Sequence, residues 1–329
     1  MRRRLGLNPG HARPAPGNPE DEEALKAIAS LELDAVLAEV RAGRIEAALS
    51  SIIASLAAMR ARSSPETWTR VLAAARAHPL RGFLHLDPFI LRCYARPRGV
   101  AGDARALDFL LRGRPLDIPL PDPAAALHRC VIRGQTARAL RFRRDALARA
   151  IEETLASPAH PPAIFAAGCG HLREWDRLVG FGTQRVGRVF AFDGDADNLE
   201  QVKRDYAGLP IVTHLGSVRD LVRGGALFAD MDLVYCSGLL ETLPQGAAAS
   251  LARALFAMLA RGGTLVLTQF LAGLTEAAFL EAFMDWRMVY RTRADVLALA
   301  QDVLADCERD FHYVESPEST LGVLTLRRR

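Results

Sequence analysis

Residues 163–175 read AIFAAGCGHLREW, an apolar run of strand length that enters a glycine turn and then takes up a helical pattern. The chain beyond repeats that rhythm. Ile164 to Ala167 is the first predicted strand and Leu172 to Val179 the first helix. Arg188 to Phe192 is the second strand, ending at Asp193, with a helix from Asp195 to Tyr206. Ile211 to His214, Met231 to Cys236 and Leu265 to Gln269 follow as strands, the last after the turn Arg261-Gly262-Gly263. Phe311 to Glu315 and Gly322 to Leu326 form two more, joined by a short polar turn. Strands alternating with helices predict a mostly parallel α/β sheet with an antiparallel hairpin at one C-terminal edge.

Ahead of the sheet the pattern is helical. Apolar residues recur at three and four spacings from Glu20 to about Arg60, and Ser64-Pro65-Glu66 opens a helix through Ala77. His78-Pro79 and Asp87-Pro88 punctuate the next stretch. The segment from Cys93 to Leu111 gathers Pro97, Gly99 and Gly102, and Asp103 is placed to cap the helix after it. Arg114 to Pro123 is a second proline-rich connection. A helix from about Ala124 to Ser157 carries Arg138, Arg141, Arg143 and Arg144, and His160-Pro161-Pro162 breaks it. The division expected is a disordered basic tail (1–19), a helical domain (20–157) and a sheet domain (158–329).

With 329 residues, half of them hydrophobic and 24% charged, the chain can bury a substantial core. No apolar run is long enough to span a bilayer, and the basic N-terminus lacks the apolar stretch of a secretory signal. Five cysteines without a CxxC pair, and histidines without ligand spacing, point to a reducing cytoplasm and no metal site. Forty of the 42 basic residues are arginine, as in a GC-rich bacterial genome. Up to Ser157 there are 25 basic against 17 acidic residues, and beyond it 17 against 21. The arginines of the first part are spread over several helices without interleaved aromatics, which disfavours nucleic acid as a partner and suits an anionic small molecule.

A glycine turn between strand and helix brings backbone N–H groups close to a ligand, and an acid ending the next strand accepts ribose hydroxyls. Gly168, Gly170 and Asp193 have that arrangement, with Asp193 25 residues after Gly168. Dinucleotide binders require a third glycine, and Arg173 stands in its place. The turn therefore suits a nucleoside cofactor without phosphates.

At this point the strings AAGCGHLRE, VFAFDGDADNL, GSVRDL, DLVYCSGLLETLP and LARGGTLVLTQF resemble the successive motifs of the class I S-adenosylmethionine-dependent methyltransferases, over nearly all of the chain from Ala163 onward. RPRGVAGD (Arg96 to Asp103) and DWRMVYRTRADVLALA (Asp285 to Ala300) are similar to segments of the bacterial methyltransferases named for 3-hydroxypalmitic acid methyl ester biosynthesis. The resemblance implies a Rossmann-like sheet, S-adenosylmethionine as cofactor and a small-molecule acceptor with a carboxylate that becomes a methyl ester. It also implies roles. Gly168 and Gly170 face the methionine part, with Ala167 and Cys169 beside them in the cofactor site, Asp193 the ribose, Gly194 or Asp195 the adenine, and Ser217 and Val218 its edge. Cys236, Ser237 and Gly238 line the pocket after the fourth strand. The loop with Arg98 and Asp103 closes over the cofactor as a lid.

The sequence departs from these families at three positions. Ala166 stands where the general class carries an acid two residues before the first glycine, so the cofactor's ammonium has to be met elsewhere, by backbone carbonyls or by Asp103. Val100 and Thr242 stand where the narrower family carries tyrosines, which points to a different acceptor. For a carboxylate acceptor, Arg98 or Arg291 is the candidate anchor. For an amine or hydroxyl, Glu241 or Asp285 is the candidate base. Trp286 and Tyr290, four apart, would share a helical face. His171, inside the turn, is a candidate proton shuttle. Two other readings stay open: methylation of an amine, amino acid or peptide, and a non-catalytic cofactor-binding protein acting through its helical domain as a homodimer.

Overall fold

The computed structural model describes residues 32–111, 120–156, 160–178, 186–223, 228–308 and 311–329. The expected tail (1–19), the start of the first helix at Glu20, most of the connection from Arg114, the boundary at Ser157 and Pro158, and Val179 lie outside the described residues.

Helices α1 (residues 32–41), α2 (Ile45–Arg62), α3 (Pro65–Ala77), α4 (Leu80–Leu84), α5 (Pro88–Ala95) and α6 (Ala104–Leu111) come first. Their starts follow the local chemistry. The Ser64 hydroxyl accepts from Thr67 N at 3.1 Å with Pro65 behind it, and Asp87 Oδ1 accepts from Ile90 N at 2.8 Å ahead of Pro88. Asp103 Oδ1 accepts from Ala106 N at 2.8 Å, as the sequence predicts.

The single helix expected from Ala124 to Ser157 is two, α7 (Asp122–Val131) and α8 (Gln135–Leu155). The break lies at Gly134, where a Cβ would come within 2.5 Å of Glu276 Oε1. The Glu276 carboxylate accepts from Gln135 N at 2.7 Å and Thr136 N at 2.8 Å. An anion from a distant segment thus satisfies the open N-terminus of α8.

Seven strands follow: β1 (Ala163–Ala167), β2 (Arg188–Asp193), β3 (Ile211–Leu215), β4 (Met231–Cys236), β5 (Leu259–Phe270), β6 (His312–Glu315) and β7 (Leu321–Arg327). They form one sheet in the order β3-β2-β1-β4-β5-β7-β6, parallel from β3 to β5, with β7 antiparallel to both of its neighbours. The expected Rossmann-like sheet with an antiparallel edge hairpin is observed. β1, central and covered on both faces, is apolar throughout, as a doubly buried parallel strand requires. The sheet's remaining helices are α9 (Ala196–Asp205), α10 (Val218–Arg223), α11 (Gln245–Ala257), α12 (Ala277–Phe283) and α13 (Arg293–Ala298).

Each face of the sheet has its own core. One includes Val234, Leu251, Leu255 and Leu267 and is covered by α11. On the other, α8 lies across β4, β5 and β7, and the same apolar cluster runs on into α2, α3 and α5. Polar stitches reinforce that continuity. α12 packs on α2 and α3, where Trp68 Nε1 donates to Glu281 Oε2 at 2.7 Å and Arg60 pairs with Glu281 at 2.7 Å.

Two expected helical stretches are absent. After the glycine turn the described chain makes only a 3-10 turn, Trp175–Arg177, and Leu172 is left-handed (φ 52°), a conformation incompatible with an α-helix. Trp286 and Tyr290 do not share a helical face, because α12 ends at Phe283, Asp285 is left-handed (φ 48°) and residues 285 to 290 form no helix. No helix among the described residues is long and apolar enough to cross a membrane.

Candidate functional site

The strand order reverses between β1 and β4, so the chain leaves the carboxyl ends of these neighbours in opposite directions and opens a crevice there. Gly168 follows β1 with φ 64° and Gly170 has φ 51°, both left-handed, so glycine suits the turn. At Gly168 the need is also steric, since a Cβ would lie 2.5 Å from Leu239 Cγ. Across the crevice Asp193 ends β2. Its Oδ2 accepts from Gly170 N at 2.8 Å, and its Oδ1 accepts from Asp195 N at 2.9 Å and Asn198 Nδ2 at 3.1 Å. The turn and the acid are thus tied together before any ligand arrives.

Behind the turn, His171 and Arg173 reach α6. Asp108 Oδ2 lies 3.0 Å from His171 Nδ1, and Arg173 donates to Asp108 at 2.6 and 2.8 Å and to Asp205 at 2.7 Å. Burial acts to raise the Asp108 carboxyl, but hydrogen bonds from Arg173 and His171 hold it below its ordinary value. Arg173 therefore replaces the third glycine with a clamp. His171 Nε2 is buried and has no hydrogen bond among the described residues.

The segment from Arg96 to Asp103 forms the opposite wall. Gly102 (φ 68°) lies under Trp286, where a Cβ would sit 2.4 Å from the ring. Arg98 bridges to the start of α9, with Nη1 at 2.8 Å from Asp195 Oδ2 and 2.9 Å from Asn198 Oδ1. Asp103 is bound by Arg92 through two hydrogen bonds of 2.8 and 2.7 Å. Its carboxylate is thereby committed within the chain, and it makes a poor partner for a ligand ammonium. Arg76 pairs with Asp285 at 2.6 Å, and Arg96 pairs with the same carboxylate.

The crevice and this wall enclose a cleft of about 1140 Å³. Of the residues singled out in the sequence, Gly168, Cys169, Gly170, Asp193, Gly194 and Asp195 line it on the turn side. Ser237, Gly238, Glu241, Arg98, Asp103 and Asp285 line the remainder. Ala167 and Cys236 lie behind it in the sheet, fully buried. Ser217 and Val218 are outside the lining, and the Ser217 hydroxyl donates to Asp220 at 2.7 Å. Tyr290 and Arg291 are also outside it. Arg291 is buried and donates to the carbonyls of Leu240 and Leu243 and to the side chains of Gln245 and Gln269, so it holds loops together and is not an acceptor anchor. Tyr290 faces Arg60, 6.0 Å from guanidinium to ring centre. Neither Cys169 in the cleft nor Cys236 behind it is a ready nucleophile, because burial raises the first thiol well above its ordinary value and pushes the second to about 12.

Sequence reasoning found Glu241 at the inner end but missed its two neighbours. Arg143 and Glu174 line the cleft and are 5% and 6% exposed. Tyr235 Oη donates to Glu174 Oε1 at 2.6 Å and accepts from Trp175 Nε1 at 3.2 Å. Arg143 Nη1 donates to Glu241 Oε1 at 3.2 Å, and Glu241 Oε2 is buried without a partner among the described residues. One signal was available. Among the five arginines of α8, Arg143 alone is buried; its place three after Leu140 and four before Leu147 lies in the apolar register, a signal that neighbouring Arg144 shares.

No family model and no curated protein matches this chain. Among solved structures, a possible exported protein from Bordetella parapertussis aligns over 80% of this chain and 99% of its own, at 17% identity and a TM-score of 0.57. Magnesium protoporphyrin IX methyltransferase from Synechocystis PCC 6803 with bound SAH aligns over 60% of this chain and 88% of its own, at 14% identity and a TM-score of 0.44. The SAM-bound amino pentose methyltransferase CalS10 from Micromonospora echinaspora aligns over 57% and 91%, at 18% identity and a TM-score of 0.42. The first likeness is one of fold.

Proposed function

We propose that this protein is an S-adenosylmethionine-dependent methyltransferase of a small molecule, converting a carboxylate to its methyl ester. The observation that carries the cofactor reading is the occupied turn. Gly170 N–H is already given to Asp193, and no α-helix starts among the described residues behind it. A pyrophosphate is held by backbone donors at a helix N-terminus, and here the amides of Cys169 and Gly170 are already spent within the chain. A ribose needs an acceptor. Of the roughly four lone-pair positions on a carboxylate, Asp193 uses three, leaving one on Oδ2 for a hydroxyl. A phosphate-free nucleoside fits, and the motif resemblance makes it S-adenosylmethionine.

The cofactor supplies a methyl group on a sulfonium, open to in-line displacement. The chain's task is to align the acceptor and exclude water. Arg76, Arg96 and Arg287 surround the single carboxylate of Asp285, leaving net positive charge beside Trp286 and Met288 in the same cleft. That combination suits an anionic acceptor with an apolar body, such as a hydroxy fatty acid, and a carboxylate needs no base at neutral pH. The helical segment, through the loop from Arg96 to Asp103, serves as the lid.

A second reading rests on Glu241. Its buried, unpartnered Oε2 in the cleft is a candidate base for an amine or hydroxyl acceptor. Calorimetry with S-adenosylhomocysteine, followed by turnover against hydroxy fatty acids, amino acids and amines, tests both. Methyl ester formation insensitive to Glu241→Gln supports the first reading. A methylated amine, with activity lost in that variant, supports the second. Binding without turnover of any substrate class leaves the non-catalytic reading, and binding of a nicotinamide dinucleotide instead overturns all three.

A further inference from the structure

Where α8 crosses the carboxyl ends of β4 and β5, the cleft narrows onto Arg143, Glu174 and Glu241, with exposures of 5%, 6% and 3%. Arg143 makes one hydrogen bond, to Glu241, and its guanidinium lies 5.6 Å from the Phe270 ring centre. Its other donors have no partner among the described residues. Gly238 lies directly against the fork, where a Cβ would be in van der Waals contact with Nη1 and Nη2 at 3.7 and 3.9 Å.

Glu174 is tethered by the Tyr235 hydroxyl. Tyr235 lies directly across the β1–β4 ladder from Ala166, and the two share one face of the sheet. Ala166 is the position where the resemblance leads one to expect an acid. The chain has therefore brought a carboxylate to that face from beyond the turn. Glu174 has no cation within ion-pair distance among the described residues, and burying a charge without a partner is costly.

We propose that Glu174 and Arg143 receive the amino-acid end of the cofactor, Glu174 taking the ammonium in place of the missing acid at Ala166 and Arg143 taking the carboxylate. This assignment rests on the S-adenosylmethionine reading above. A guanidinium held at one end by Glu241 keeps a second edge for two parallel hydrogen bonds to a carboxylate.

The test compares S-adenosylhomocysteine with methylthioadenosine, which shares its nucleoside and thioether but lacks the amino-acid group. Calorimetry is run on the full chain and on Glu174→Gln and Arg143→Met. The full chain should prefer S-adenosylhomocysteine, and each variant should lose about 10- to 100-fold of that affinity while binding methylthioadenosine as before. Retained methylthioadenosine binding also reports an intact site. Arg143→Lys, which keeps the charge but loses the fork, should show a smaller loss of the same kind. Equal loss for both ligands, or none for either, overturns the assignment. A full chain that binds the two ligands equally overturns it while leaving the cofactor reading standing. A full chain that binds neither overturns both.

Discussion

The two ends of the cleft treat their carboxylates in opposite ways. At the turn, Asp193 accepts three N–H groups from its own chain and is oriented in advance. At the inner end, Glu241 keeps one oxygen without a partner and Arg143 makes a single hydrogen bond. Satisfied groups build a rigid frame, whereas buried groups with unspent capacity carry a penalty that a complementary ligand relieves. The turn end is therefore scaffold, and the inner end is the part whose energy a complementary ligand would change most.

If Asp193 is both scaffold and ribose contact, Asp193→Ala should lower S-adenosylhomocysteine affinity about 100-fold, since hydrogen bonds to a charged group contribute about 1.5–3 kcal/mol each. Calorimetry checks this, and an affinity within a few-fold of the parent would remove Asp193 from the site. Gly168→Ala tests the frame without touching charge. The left-handed backbone and the Leu239 contact should together cost about 2 kcal/mol of stability, read from denaturant midpoints. Adding Leu239→Ala should relieve only the clash, so complete recovery would show that the backbone conformation is unstrained.

A smaller effect separates the two ends by pH. Burial raises the Glu174 carboxyl above its ordinary value of 4.5, opposed by the Tyr235 hydroxyl, a backbone N–H and the Arg143 charge. The folded state then binds more protons than the unfolded one between those two values, so stability falls as pH rises through that window and levels off above it. Glu174→Gln should remove this component from the melting profile, and an unchanged profile would mean the carboxyl is not raised. The smallest change is expected at Arg98→Ala. Its bridges to Asp195 and Asp197 are partly exposed and contribute about 0–1 kcal/mol. Stability should hardly move, while the dissociation rate of S-adenosylhomocysteine in stopped flow should rise if this loop is a lid.

Most strands and several caps were legible because their causes are local. Alternating apolar runs set β1 to β5, and Ser64, Asp87 and Asp103 reach only a few residues along their own chain. The failures had distant causes. α8 starts where Glu276 meets Gly134, about 140 residues away in sequence, and the helix expected after Gly170 is displaced by clamps from His171 and Arg173 to Asp108 on α6. Arg291 looked like a substrate arginine until four loop and side-chain acceptors claimed it.

The order of apolar runs, the glycines at 168 and 170 and the acid at 193 suffice to specify a glycine-turn crevice in a mostly parallel sheet. They do so because backbone conformation and strand period are properties of neighbouring residues. Which charges face the crevice was left to packing. Asp103 is committed to Arg92, while Arg143 and Glu174 come from α8 and from beyond the turn to meet over Tyr235 and Phe270. A charge becomes a binding group only when its own chain leaves it incompletely paired, and that depends on every element packed around it.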